Sequence, residues 1–109
     1  MYDAVNWIRK KAFDDSVPAG PVVASPDVVP STASMKLWVN DELRQSTDRS
    51  QQIFSETAVV SEISQYLTLY PGDIIATGSP INTTELHDGD RVDITIEGIG
   101  TLSHDVQIE

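Results

Sequence analysis

Few side chains in this sequence can carry chemistry, and their types narrow the options quickly. There is no Cys and there are 2 His, His87 and His104. Thiolate nucleophiles, disulfides and a multi-His metal site within one chain are therefore excluded. His87 falls in a polar loop and His104 near the last strand pattern, where a surface or hydrogen-bonded imidazole fits each better than a general base. Asp14-Asp15 and Asp88/Asp90 are candidate ligands for a hard cation by residue type, but paired acids in loops also form turns. Thr77-Gly78-Ser79-Pro80 directly follows a short apolar run, which places two hydroxyls and several backbone N–H groups at a predicted strand end. Gly there allows a ligand to approach the backbone closely, although a plain Gly-Pro turn would have the same composition. Lys11, beside Phe13 and a Pro-rich stretch, could set a cation against an anionic ligand. No Gly-rich phosphate loop, Gly-x-Ser-x-Gly, His-Glu-x-x-His or EF-hand spacing is present.

The elements that would position these residues are mostly β. Residues 1–13 show no strand alternation and fit one helical turn feeding a loop. Pro18, Pro21, Pro26 and Pro30 make the segment 14–34 irregular, with one short strand predicted at Val22–Ala24. Met35, Leu37 and Val39 alternate with Lys36 and Trp38, the pattern of a half-buried strand. Asn40-Asp41 is predicted as a two-residue hairpin loop into a strand at Leu43–Gln45. Ser55 is a good N-cap for an amphipathic helix predicted over 56–67, with Val59, Ile63 and Tyr66/Leu67 on one face. Pro71-Gly72-Asp73 turns into a strand at Ile74–Ala76, and Asp88-Gly89-Asp90 into a strand carrying Val92, Ile94 and Ile96. Gly98-Ile99-Gly100 reverses the chain, and Leu102, Val106 and Ile108 line the last strand.

Length and charge bound the function classes. At 109 residues the chain makes a single domain, and its 7 Lys+Arg against 17 Asp+Glu give a net charge of −10. Nucleic-acid and anionic-membrane binding need clustered basic residues, so both are excluded. The chain has no apolar run of membrane-spanning length and no apolar signal region near residue 1, so a cytoplasmic location is expected. Its Lys are at positions 10, 11 and 36 alone, an acid-rich, Lys-poor surface that also suits a salt-rich cytoplasm.

Three segments together resemble the fumarylacetoacetate hydrolase family. Lys11-Ala12-Phe13-Asp14 with Pro18-Ala19-Gly20-Pro21 is similar to its Lys-x-Phe-Asp…Pro-x-Gly-Pro stretch. Val39-Asn40-Asp41-Glu42-Leu43-Arg44-Gln45 with Ile53-Phe54 resembles its Val-Asn-Gly-Glu-x-x-Gln…Ile-Phe stretch. Leu69 to Pro80, then Gly89-Asp90 and Ile96 to Leu102, resembles its C-terminal signature in order and spacing. The resemblance is strongest over residues 11–109. It implies that residues 1–109 form one partial catalytic domain corresponding to the C-terminal portion of a family member.

For the fold, the resemblance implies a mostly β, α+β mixed β-roll of coiled sheets with one amphipathic helix at about 56–67, usually homodimeric. For function, it implies C–C hydrolysis, decarboxylation or isomerisation of acylpyruvate-like or 2-oxo and 2-hydroxydienoate acids. Mg²⁺ or Mn²⁺ would stabilise the enolate. Carried over by position, Lys11 matches the family's catalytic Lys near the metal-bound water. Ser79 stands at a substrate-binding hydroxyl position that is normally Thr. Asp15 stands near the metal without being one of its usual ligands. The family's Glu-x-Glu and later Asp ligands, and its His-Glu pair, have no counterpart in this sequence. Ile81-Asn82-Thr83-Thr84 replaces its Gly-Val-Gly stretch. Two expectations follow: the chain is part of a metal-dependent enzyme whose cation ligands come from an upstream complementary segment, or it is a non-catalytic remnant that folds or dimerises without metal.

Overall fold

A computed structural model describes Arg9 and residues 11–108. The helical turn predicted within 1–13 therefore lies mostly outside the described residues. Among them, four strands form one antiparallel sheet in the order β2-β1-β3-β4. β1 (Ser34–Val39) and β2 (Glu42–Asp48) are consecutive, and so are β3 (Arg91–Ile96) and β4 (Gly100–Asp105). One helix, α1 (Glu56–Ser64), stands between the two pairs in sequence. This is the α+β architecture expected.

The β1–β2 hairpin turns on Asn40 and Asp41, at φ 50° and 66°. Two consecutive left-handed residues make a turn whose twist matches that of the strands, and Asn and Asp tolerate that backbone best among non-Gly residues. Asn40 Nδ2 donates to Asp90 Oδ1 (2.8 Å), and Asn40 Oδ1 accepts from the Arg91 N–H (3.0 Å). The turn is thereby tied to the start of β3. The β1–β2 register shifts between Leu37, opposite Gln45, and Trp38, opposite Leu43, leaving Arg44 as a one-residue bulge. β2 extends beyond the predicted Leu43–Gln45 to Asp48.

Val39 (4% exposed) and Val92 (2%) are buried directly opposite each other at one end of the central strands, and Ala33 is buried just before β1. The edge strands carry charged side chains, Glu42, Arg44 and Asp48 on β2 and Asp105 on β4. Such charges discourage further edge pairing.

Several predicted elements are shorter or missing. No strand forms at Val22–Ala24; a 3₁₀ turn, Pro26–Val28, follows instead, and Pro-rich backbone cannot supply the ladder donors a strand needs. The helix stops at Ser64 rather than 67: the N–H groups of Gln65 and Tyr66 donate to carbonyls three residues back, Glu62 (3.2 Å) and Ile63 (3.0 Å), which tightens the last turn. Tyr66 and Leu67 are exposed, so no burial favours a further turn. The last strand ends at Asp105. Beyond it, Val106 N–H donates to the Asp90 carbonyl (2.8 Å) and Ile108 N–H to Asp88 Oδ1 (3.0 Å), clasping the 88–90 turn. Ile74–Ala76 forms no strand either, since no described strand runs beside it.

Candidate functional site

The end of β2 and the start of α1 are locked together by local chemistry. Asp48 caps the 3₁₀ turn Arg49–Gln51, accepting from the Ser50 N–H (2.8 Å) and from the Ser50 hydroxyl. Ser55 Oγ accepts from Ala58 N–H at 3.2 Å, the N-cap bond that its position predicts. Arg49 bridges three segments. Its Nη1 donates to the carbonyls of Val29 (2.8 Å) and Pro30 (3.2 Å), and its Nε and Nη2 donate to Glu56 Oε1 (3.2 and 2.9 Å). The guanidinium hydrogen bond holds the Glu56 carboxyl below the usual carboxylate range.

Across from this junction lies the segment 77–81. Gln52 Nε2 donates to Thr77 Oγ1 (3.2 Å), and Gln45 Nε2 to the Ile81 carbonyl (3.3 Å). Between the two sides opens a cleft of about 370 Å³, walled by Asp48, Arg49, Gln52 and Phe54 on one side and by Thr77 to Pro80 on the other. Gly78 sits at φ 106° with open space where a Cβ would point, so glycine is required by the backbone rather than by crowding. A ligand can approach the peptide groups here. Ser79 is exposed within the cleft wall.

Lys11 and Asp15 are exposed and are not among the residues lining this cleft. Asp88 and Asp90 are turn formers. Asp90 Oδ2 accepts from the His87 N–H (2.8 Å) and Oδ1 from Asn40, bonds that lower the Asp90 pKa. His87 is exposed, with its Nδ1 3.6 Å from the Asp90 carboxylate, and His104 is half-buried on β4 opposite Val92. Gln45, Gln52 and Arg49 carry most of the positioning at the cleft, and sequence reading passed over all three. Gln45 and Ile53-Phe54 do fall inside the second resembling segment, which was the one available signal.

Among the described residues, no group of three or more His, Asp or Glu side chains could hold a metal ion. Asp48 lines the cleft, but its carboxylate is engaged as a cap. The residues present therefore do not fit the Mg²⁺ or Mn²⁺ that the resemblance implies. What the cleft offers is hydroxyls and backbone donors for an anion or a carbonyl.

The antiparallel sheet, the helix Glu56–Ser64 and the Gly-containing loop facing a cleft define an α+β fold. Its family follows from comparison with known proteins. The fumarylacetoacetate (FAA) hydrolase C-terminal family model matches residues 1–107, and the chain belongs to that family. An uncharacterized protein of Pyrococcus horikoshii is 44% identical over 104 residues, covering 94% of this chain and 45% of that protein. The 4-hydroxyphenylacetate degradation bifunctional isomerase/decarboxylase of Salmonella dublin is 36% identical over 104 residues, covering 94% of this chain and 24% of that protein. Maleylpyruvate hydrolase from Sphingobium sp., in complex with manganese(II) ion and pyruvate, superposes with a TM-score of 0.85. It is 40% identical and covers 92% of this chain and 39% of that one. The family thus includes hydrolases, isomerases and decarboxylases. The chain spans less than half the length of these relatives.

Proposed function

We propose that this chain contributes the substrate-anion wall of a metal-dependent FAA hydrolase-type site acting on acylpyruvate-like 2-oxo or 2-hydroxydienoate acids. The observation that carries this reading is the Thr77–Pro80 loop, held by Gln52 against a cleft with Gly78 left-handed and open. Ser79 Oγ and the neighbouring N–H groups would bind a substrate carboxylate or keto oxygen. Lys11 would be the catalytic cation facing the anion that develops, with Asp15 near the metal. Hydrolysis, decarboxylation and isomerisation all proceed through such an anion, so the loop serves any of them.

The cation, Mg²⁺ or Mn²⁺, would be held by carboxylates of a complementary segment, and the assembled enzyme would be a cytoplasmic homodimer. No described helix is long and apolar enough to cross a membrane. One observation favours a second reading, a non-catalytic family member: the described residues lack a metal-ligand cluster.

The experiment is an NMR titration of the isotope-labelled chain with oxalate, which mimics a pyruvate enolate. Millimolar oxalate should shift the amides of Thr77, Gly78 and Ser79. Ser79→Ala should remove those shifts, and Lys11→Met should weaken the affinity several-fold. Shifts confined to other residues, or none, would leave the non-catalytic reading standing. Unchanged affinity in Lys11→Met would take Lys11 out of the site.

A further inference from the structure

Each end of the loop 77–81 is held by a glutamine, and the two hold it differently. Gln45 Nε2 donates to the backbone carbonyl of Ile81 (3.3 Å), which fastens the far end of the loop. Gln52 Nε2 donates to a side chain instead, the Thr77 hydroxyl oxygen (3.2 Å). Gln52 closes the 3₁₀ turn Arg49–Gln51, where its own N–H donates to the Arg49 carbonyl (3.3 Å). Asp48 caps the same turn at its other end. The Gln52 amide therefore reaches Thr77 from a backbone point that is fixed on both sides. Gln52 is half-buried, whereas Thr77 is exposed to the cleft that it lines.

The direction of this bond decides what Thr77 can do. A hydroxyl can both donate its hydrogen and accept, whereas a carboxamide nitrogen only donates. Facing the Gln52 nitrogen, the Thr77 oxygen accepts, and its hydrogen is left for another acceptor. Among the described residues none takes it. Accepting one hydrogen bond also makes a hydroxyl a better donor, because successive bonds polarise one another. An oxygen that carries negative charge gains most from such a donor. Thr77 and Ser79 both line the cleft, with Gly78 between them at φ 106°.

We infer that Thr77 is a second hydroxyl donor to the bound anion, beside Ser79, and that Gln52 is the positioning residue that leaves its hydrogen free for the ligand. This rests on the proposed function and deepens it: the two oxygens of one carboxylate can take the two hydroxyls separately. A carboxylate in place of the Gln52 amide would reverse the bond. It only accepts, so it would take the Thr77 hydrogen for itself while still holding the loop. That difference separates aiming a hydrogen from merely fastening a loop.

The test is an NMR titration with oxalate of the unsubstituted chain, Thr77→Val, Gln52→Glu and the double variant. Thr77→Val should weaken oxalate binding by about tenfold in the otherwise unsubstituted chain, the effect of one hydrogen bond to a charged group. In the Gln52→Glu chain, where the hydrogen is already taken, the same change should cost less than about twofold. Repulsion between the introduced carboxylate and oxalate is present in both Gln52→Glu chains and cancels in that comparison. Thr77→Ser keeps the hydroxyl and should bind within about twofold of the unsubstituted chain. Without ligand, the side-chain amide resonances of Gln52 should move in Thr77→Val. Equal losses in the two backgrounds would overturn the inference, and so would oxalate binding that Thr77→Val leaves unchanged. Either result leaves the proposed anion wall standing on Ser79. No response at residues 77–79 of the unsubstituted chain would overturn that reading, and this inference with it.

Discussion

The guanidinium of Arg49 donates to two carbonyls of the Pro-rich segment and to the carboxylate of Glu56, while its own N–H donates to the Ala33 carbonyl (3.1 Å). One side chain thus fixes the entry to β1, the exit from β2 and the start of α1, and with them one wall of the cleft. Arg49→Met should lower the unfolding free energy by about 2 kcal/mol, since hydrogen bonds to charged groups are the stronger ones and the carbonyls of Val29 and Pro30 lose their donor. A urea midpoint shift with an unchanged slope would register it. Arg49→Lys should recover little, because an ammonium cannot present the planar fork that reaches both the carbonyls and Glu56. Nothing in the local pattern marks Arg49, because its partners lie 20, 19 and 7 residues away and periodicity reports only near neighbours.

At the scale of elements, the Asn40-Asp41 hairpin and the Asp90 turn form one unit. Asn40 both adopts the left-handed backbone and bonds across to Asp90 and Arg91. Asn40→Ala should therefore cost on the order of 2 kcal/mol, combining the lost bonds with the backbone penalty. The same unit sets an acid sensitivity. The Asp90 carboxyl is lowered by the His87 N–H and the Asn40 amide, so below the ordinary carboxylate range the unfolded chain binds the proton more readily than the folded one. Stability from this group is complete above that range, about pH 4, and is lost as the pH falls through the lowered value. Acid unfolding followed by circular dichroism should show a weaker pH dependence in Asn40→Ala, where Asp90 has lost one donor. This hairpin was legible from Asn-Asp between two alternating runs. The strand at Ile74–Ala76 was legible as composition but does not form, because a strand exists only with a neighbour to bond.

For the whole molecule, the net charge of −10 is a self-repulsion that salt screens. Raising NaCl from low concentration to about 1 M, where the screening length falls to about 3 Å, should raise the thermal midpoint of the isolated chain. A midpoint that falls would show that local ion pairs such as Arg49–Glu56 outweigh the global repulsion. The sequence by itself determined the chain's family, its α+β class and the Ser55, Asn40-Asp41 and Gly-Asp punctuation. Each of these depends on residue type, charge or contacts a few positions apart. Only the tertiary structure decided that Gln52 and Gln45 hold the 77–81 loop, that Asp88 and Asp90 serve turns, and that, among the described residues, no strand pairs with Ile74–Ala76. Those facts depend on which distant segments meet, and on which find no segment to meet, and neither is written in local spacing.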